Sequence, residues 1–443
     1  MSNSEAPLQV TVIGIGYLGL THAVCMADLG HQVLAIDVDE SKIARAARGE
    51  APFFEPGLEP LLRKNLDAGR LRFTADFAEV GEFGDVHFVC VGTPQKPGST
   101  AADLTYVHAA FSSLAPHLRR ETLLIGKSTV PVGTTRALFD SVRAAAPASG
   151  AVDIAFNPEF LREGHAVADS LTPDRLVFGV RSDRAEELLR RVYATPLASG
   201  IPGLTMDLET AELVKVAANS FLATKISFIN VMAEVCEAAG GDVNKLADAI
   251  GHDERIGRKF LSAGLGFGGG CLPKDIRAFR TTAGDLGVDS LVDLLTTVDT
   301  INLGRRDRVM ALARQSLGGD LAGKRVAVLG VAFKPNSDDI RDSPSLDICR
   351  RLADAGAVVS VHDPVAMPNA ARSQPGLRYA GSVHEAAEDA DVVLHLTEWS
   401  DYRAIDPEAL RAVVSQPVLV DGRATLDAAL WRSAGWTVRV PGQ

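Results

Sequence analysis

Apolar and polar positions change period several times along this chain. Residues 8–13 form a short β-rich apolar run, followed directly by Gly14-Ile-Gly16-Tyr-Leu-Gly19 and an amphipathic stretch to Gly30. A second apolar run covers 32–36, and others at 86–91, 122–125, 153–156 and 176–180 are separated by helical patterns. Strands alternating with helices predict βαβ units and a parallel sheet covered on both faces. Pro196, Gly200, Pro202 and Gly203 then cluster, which marks the end of a first domain near residue 200.

From 208 to 239 the helical period runs without an internal Gly or Pro. Such a length reads either as a core helix or as a connector that doubles as an oligomer face. Helical pattern continues to about 317, interrupted by a glycine-rich segment around Cys271. Strand signals restart at 324–330 and recur at 358–362, 392–395 and 418–420, without a second Gly-x-Gly-x-x-Gly. The predicted fold class is α/β: two Rossmann-like parallel-sheet domains joined by a long central helix and a helical middle domain. The boundaries expected are 1–205, 206–317 and 318–443.

Composition narrows the function. Of 443 residues, 46% are hydrophobic and 23% charged, which excludes a mainly disordered chain. The formal charge of −11 argues against nucleic acid or an anionic membrane as partner, since both reward a basic face. Residues 1–7 lack a signal peptide's apolar core, and no apolar run approaches the ~18 residues of a membrane span. A cytoplasmic protein is expected. Five scattered cysteines form no CxxC; Cys25, Cys90, Cys236 and Cys349 sit among apolar neighbours and read as buried thiols. The histidines are isolated, and no spacing indicates a metal site.

Gly14, Gly16 and Gly19 sit between a strand and a helix, as a dinucleotide fingerprint requires: a tight turn, room for a pyrophosphate, and close helix–strand packing. Asp37 closes the second strand, where a carboxylate binds ribose hydroxyls. Asp39 and Glu40 beside it would repel a 2′-phosphate, so the cofactor expected is NAD. Cys271, between Gly268-Gly269-Gly270 and Leu272-Pro273-Lys274-Asp275, should precede a helix whose dipole, with Lys274, favours a thiolate. Asp275 there is placed to position or deprotonate a water.

Lys215 and Asn219 share one helix face, either solvated or able to polarise a carbonyl or hold an oxyanion. Glu159 and Glu163 are loop acids after a predicted strand, candidate bases or surface charges. Thr93 and Thr129 also follow strand ends, where ligands of open α/β sheets gather. Lys334, Arg341 and Arg423 lie in loops beyond later strands and read as phosphate contacts or as ordinary surface charge.

In order, Val91-Gly-Thr-Pro94, Ser128-Thr-Val-Pro131, Asn157-Pro-Glu-Phe-Leu-Arg-Glu-Gly164, Pro173-Asp-Arg-Leu176, Glu212-Leu-Val-Lys-Val-Ala-Ala-Asn219, Arg255-Ile-Gly257, the Cys271 segment and Phe333-Lys-Pro335 join the glycine fingerprint. Together they resemble the UDP-glucose/GDP-mannose dehydrogenase family over nearly the whole chain. The resemblance implies an NAD domain, a dimer-forming helix and a nucleotide-sugar domain. It implies four-electron oxidation of a sugar C6 hydroxyl, on UDP-glucose first, with dTDP-glucose, GDP-mannose and UDP-N-acetylmannosamine as alternatives. Cys271 would be the nucleophile, with Lys215, Asn219 and Asp275 around it and Glu159 and Thr129 managing protons and water.

The implied cofactor contacts are Gly14, Gly16, Tyr17, Leu18, Gly19, Asp37, Lys42, Thr93, Thr129, Glu163, Lys274 and Arg341. Implied substrate contacts are Glu159, Phe160, Leu161, Arg162, Glu163, Lys215, Asn219, Phe260, Gly268, Lys334 and Arg423, with Arg255 reaching a partner subunit's substrate in a homodimer or higher homo-oligomer. Gly270 departs from the pattern, standing where many members carry Ser or Tyr. Phe260 and Phe267 stand where tyrosine is frequent. A two-electron 3-hydroxyacid dehydrogenase would share the NAD domain and a lysine on a long helix, yet would need neither Cys271 nor a second α/β domain.

Overall fold

Each apolar run becomes a buried strand, and the amphipathic stretches between them become the helices that cover it. The computed structural model describes residues 7–443, so the polar start read at 1–6 lies outside the described residues. They fall into two compact units, the first ending at Ala218 and the second spanning Asn219–Gln443.

The first unit holds β1 (Gln9–Ile13), β2 (Gln32–Ile36), β3 (Leu71–Thr74), β4 (Val86–Val89), β5 (Thr122–Gly126), β6 (Val152–Phe156), β7 (Leu176–Gly179) and β8 (Gly203–Met206). They form one sheet in the order β3-β2-β1-β4-β5-β6-β7-β8, parallel except where β6 meets β7. Order reverses between β1 and β4, the switch point at which doubly wound sheets bind ligands. Separate apolar clusters bury the two faces. Edge strands β3 and β8 are absent from the sequence reading because their side chains alternate or face solvent and form no apolar run.

The second unit repeats that order with β9 (Arg325–Leu329), β10 (Val358–His362), β11 (Arg378–Tyr379), β12 (Val392–His395), β13 (Val418–Asp421) and β14 (Thr437–Arg439), arranged β11-β10-β9-β12-β13-β14 and wholly parallel. Short β11 and β14 went unread for the same reason as the first sheet's edges. Ahead of this sheet come the helices Leu272–Asp285 and Asp289–Ser316.

The helix Leu208–Ala239 runs unbroken for 32 residues through the boundary at Ala218. Among the described residues it is the one helix long and apolar enough, by length and composition, to cross a membrane. Its Glu212, Lys215, Asn219, Ser227 and Asn230 are nevertheless buried in hydrogen bonds to protein, as in the core helix of a folded domain.

Candidate active site

At the first switch point, Gly14 takes φ +90° and donates its N–H to Ile36 O at 2.8 Å, which makes the turn between β1 and its helix. A Cβ at Gly19 would overlap the Gly14 carbonyl oxygen, whereas one at Gly16 would meet nothing. Gly19 is thus a packing requirement, and Gly16 leaves open backbone. The helix Tyr17–Asp28 starts with no side-chain cap and no acid in its first turn, leaving its positive end to an anion. Asp37 accepts from Ile15 N and Asp39 N, both at 2.9 Å, and lies 3.9 Å from Lys42 Nζ. A fixed carboxylate beside an open glycine cradle fits the ribose and pyrophosphate of NAD.

Tyr17 and half-buried Leu18 flank that cradle. The Tyr17 hydroxyl is turned inward, donating to Glu55, whose carboxylate also accepts Gly164 N and Ala166 N at 2.7 Å each. Burial, then Glu55, hold the phenol well above its ordinary range. Glu55 escaped the sequence reading; its only signal was an acid inside the turn-rich Phe54-Glu-Pro-Gly57.

The loop after β6 carries the acids. Glu159 Oε1 lies 2.9 Å from Lys215 Nζ, and Glu159 Oε2 accepts Leu161 N at 2.8 Å. Phe160 stacks beneath Arg175 at 3.9 Å and faces Lys215 at 5.7 Å. Arg162 instead points outward to Asp169, with contacts of 2.7 and 2.9 Å, so it braces the loop from its exposed side. Glu163 and Thr93 are buried, and Thr129 is half-buried.

The loop begins at Asn157, whose Oδ1 takes hydrogen bonds from Lys127 Nζ at 2.9 Å and Tyr193 at 2.6 Å. Burial pushes the Lys127 ammonium down to about 8, against partial support from Cys90 and Glu159. A lysine directly after an apolar strand was the available signal for Lys127. Glu212 binds Gly133 N and Thr135 N at 2.6 and 2.8 Å, closing the helix start after Pro131; burial raises its carboxyl above the usual range.

In the second unit Cys271 caps the helix Leu272–Asp285, and it is the exposed one of the five cysteines. Leu272 takes the first helical position and Pro273 the second, one residue later than the proline rule alone places it. Cys271 O accepts Asp275 N at 2.9 Å. Asp275 is buried, bound through Oδ2 to Asn219 Nδ2 at 2.7 Å and through Oδ1 to Lys274 Nζ at 2.6 Å. Lys274 therefore directs its charge at Asp275.

The chain leading to Cys271 is held from both sides. Asn230 Oδ1 accepts Gly264 N at 2.9 Å, and Arg305 Nε donates to Gly264 O at 3.2 Å. Asn302 grips Phe267 N and O at 2.7 and 3.0 Å, and Gly268 is buried. Arg423 donates to Leu396 O, Gly266 O and Phe333 O at 2.7, 3.1 and 3.1 Å, pinning three segments together. None of Asn230, Asn302 or Arg305 was read from sequence, because each is an ordinary polar position of a helix.

Lys334 lies 5.3 Å from the Phe333 ring, and Arg341 Nε grips Asp339 at 2.9 and 3.0 Å. Phe260 is exposed with φ +66°, a strained conformation for an aromatic residue. Arg255 is exposed and bound to its neighbour Asp253 at 2.6 Å, away from the Cys271 cluster's hydrogen bonds. Among the described residues no group of His, Cys, Asp and Glu could hold a metal ion.

Known proteins share this fold and domain order. The chain matches the UDP-glucose/GDP-mannose dehydrogenase family in its NAD binding domain over residues 8–197, its central domain over 209–303 and its UDP binding domain over 327–428. It is 44% identical to a UDP-glucose 6-dehydrogenase of Rhizobium meliloti (strain 1021), over 94% of this chain and 95% of that one. A UDP-glucose 6-dehydrogenase of Bacillus subtilis (strain 168) is 40% identical over 97% and 92%. The solved UDP-glucose dehydrogenase of Pyrobaculum islandicum superposes with a TM-score of 0.90 at 37% identity, covering 99% of this chain and 100% of that one. The chain belongs to the UDP-glucose/GDP-mannose dehydrogenase family and is an NAD-dependent nucleotide-sugar dehydrogenase.

Proposed function

We propose that this enzyme oxidises the C6 hydroxyl of UDP-glucose to the carboxylate of UDP-glucuronate through a covalent intermediate on Cys271. One observation carries the covalent part: the exposed thiol caps a helix N-terminus beside the buried Asn219–Asp275–Lys274 cluster. The substrate rests on the relatives of 38–44% identity, which are UDP-glucose 6-dehydrogenases.

Bound NAD supplies the two-electron acceptor for each of the two oxidation stages. In the first, the C6 hydroxyl gives its proton to a water held by Glu159 and Thr129 and a hydride leaves C6, while Lys215 and Asn219 steady charge on the oxygen. The Cys271 sulfur then adds to the aldehyde carbon, forming a C–S bond and a thiohemiacetal whose oxygen takes the proton. The second oxidation leaves a thioester. A water deprotonated by Glu159 or Asp275 attacks its carbonyl, the C–S bond breaks, and the thiolate of Cys271 returns. Thr129 orders water in this scheme. Gly14, Gly16, Tyr17, Leu18, Gly19, Asp37 and Lys42 hold the cofactor, with Thr93, Glu163, Lys274 and Arg341. Phe160, Leu161, Glu163, Phe260, Gly268, Lys334 and Arg423 hold the nucleotide sugar, with Arg162 bracing their loop through Asp169.

The same reading divides the chain into a cofactor part (1–205), a dimer-forming part (206–317) and a nucleotide-sugar part (318–443). A second copy of this chain is the partner. Phe221, Phe228 and Val235 repeat every seven residues on the long helix and are 66%, 48% and 51% exposed, an apolar stripe suited to a matching helix. Arg255 reaches the partner's substrate in such a dimer. A cytoplasmic location belongs to the same reading.

The test is NADH formed per UDP-glucose consumed with NAD in excess. A ratio of about two, with UDP-glucuronate as product, supports the proposal, because each NAD accepts one hydride. A ratio of about one overturns the covalent route. Turnover confined to GDP-mannose, dTDP-glucose or UDP-N-acetylmannosamine overturns the substrate.

A further inference from the structure

We infer that Asp342 is a positioning residue for Cys271, holding the turn against which the glycine run before the thiol is seated. The inference rests on the reading of Cys271 as nucleophile. Asp342 lies between β9 and the helix Pro344–Asp354 and takes φ +46°, a left-handed conformation unusual for a residue with a side chain. Strain of that kind persists only where surrounding contacts over-determine it.

Those contacts are two arginines. Arg277, six residues beyond Cys271 on the helix that the cysteine caps, donates Nη1 to Asp342 Oδ2 at 2.9 Å. Arg306, from the helix Asp289–Ser316, donates Nη2 to Asp342 Oδ1 at 2.8 Å. Each arginine has a further acid: Arg277 binds Asp299 at 2.9 and 3.1 Å, and Arg306 lies 3.4 Å from Asp347. One carboxylate thus ties the turn to both helices, one of which begins at the thiol.

The backbone of the turn then meets the glycine run. Gly269 N donates to Arg341 O at 2.9 Å. A Cβ at Gly268 would overlap the Asp342 carbonyl oxygen, one at Gly269 would press on the Phe333 ring, and one at Gly270 would overlap the Arg341 guanidinium. Three consecutive residues lack side chains because the loop lies flat on this surface. Gly270, the departure from the Ser or Tyr of many relatives, leaves the space that the Arg341 side chain fills. The register of Cys271 is therefore set from behind, by a turn whose shape Asp342 holds.

Asp342→Asn tests this, because asparagine keeps the volume and tolerates positive φ while giving up the charge. Gly268→Ala disturbs the same contact from the loop side. Asp307→Asn, which loses an exposed ion pair with Arg351, is the control. The readouts are the pH profile of Cys271 alkylation by iodoacetamide, located by peptide mass, and kcat against KM. Both test variants should shift the alkylation profile and lose at least about tenfold in kcat, with KM for NAD within about twofold, as expected for a misplaced reacting group. An alkylation profile and kcat matching the wild type in both folded variants overturn the inference; should Asp342→Asn fail to fold, the alkylation profile of Gly268→Ala, taken without substrate, decides. Acid formation by Cys271→Ala would bring down the nucleophile reading instead, and the alkylation profile would still report whether Asp342 seats the loop.

Discussion

Lys215 and Glu159 form an ion pair of 2.9 Å in which the lysine side chain is 5% and the glutamate side chain 11% exposed. Nothing about their separation of 56 residues foretells it. Removing one member leaves the other charge buried, so Lys215→Ala should cost about 3 kcal/mol of unfolding free energy in urea. Lys215→Met with Glu159→Leu should recover most of that stability while remaining inactive. A single variant as stable as wild type would show that the pair is hydrated and not held as a unit.

Cys271→Ala should form no UDP-glucuronate, since no sulfur remains to capture the aldehyde. Chromatography of the products with excess NAD checks this. Undiminished acid production would refute the covalent route outright.

The fingerprint glycines should separate into a folding role and a binding role. Gly19→Ala forces a Cβ onto the Gly14 carbonyl and should lower stability by about 3 kcal/mol, because backbone there has no room to yield. Gly16→Ala adds a Cβ that meets nothing, at an ordinary φ of −69°, so stability should stay within about 0.5 kcal/mol. Its NAD affinity, measured by direct titration, should nevertheless fall at least about tenfold as the pyrophosphate loses close backbone approach. Equal effects of the two variants on stability would contradict the division.

Lys127 makes stability depend on alkaline pH with a defined sign. Its folded-state pKa is lowered from 10.5 to about 8, chiefly by burial. Below about 8 the amine is charged in both states and burial opposes folding. Between about 8 and 10.5 the unfolded chain binds the extra proton, so stability rises with pH. Relative to Lys127→Met, the wild type should gain about 3 kcal/mol across that window in urea titrations. A pH-independent difference would place water beside the amine.

Phe228→Asp should release monomers, because a carboxylate at the middle of the Phe221–Phe228–Val235 stripe cannot be buried without a partner. Sedimentation velocity would show the mass halving while the fold is kept. A wild-type monomer at micromolar concentration would dispose of the dimer.

Much of the fold was legible along the chain. Apolar runs located the interior strands β1, β2, β4, β5, β6, β7, β9, β10, β12 and β13, since a strand buried on both faces needs a continuous apolar stretch. Edge strands need none, and β3, β8, β11 and β14 went unread. The glycine fingerprint, Asp37 and the helix start at Cys271 were also visible, because each depends on residues a few positions apart. So was the contrast between one exposed and four buried cysteines.

The sequence by itself determined the local pieces: which segments are strands, where a helix starts after a glycine turn, and which cysteine stands beside glycines. These follow from side-chain period and backbone freedom, which act over a few residues. Only the tertiary structure decided that Glu159 meets Lys215, that Asn219 meets Asp275, and that Glu55, Lys127, Asn302 and Asp342 brace the surrounding loops. The physical reason is that buried polar groups must find partners wherever the packed backbone brings them. A polar residue that braces a loop and one that faces water look alike until the chain has folded.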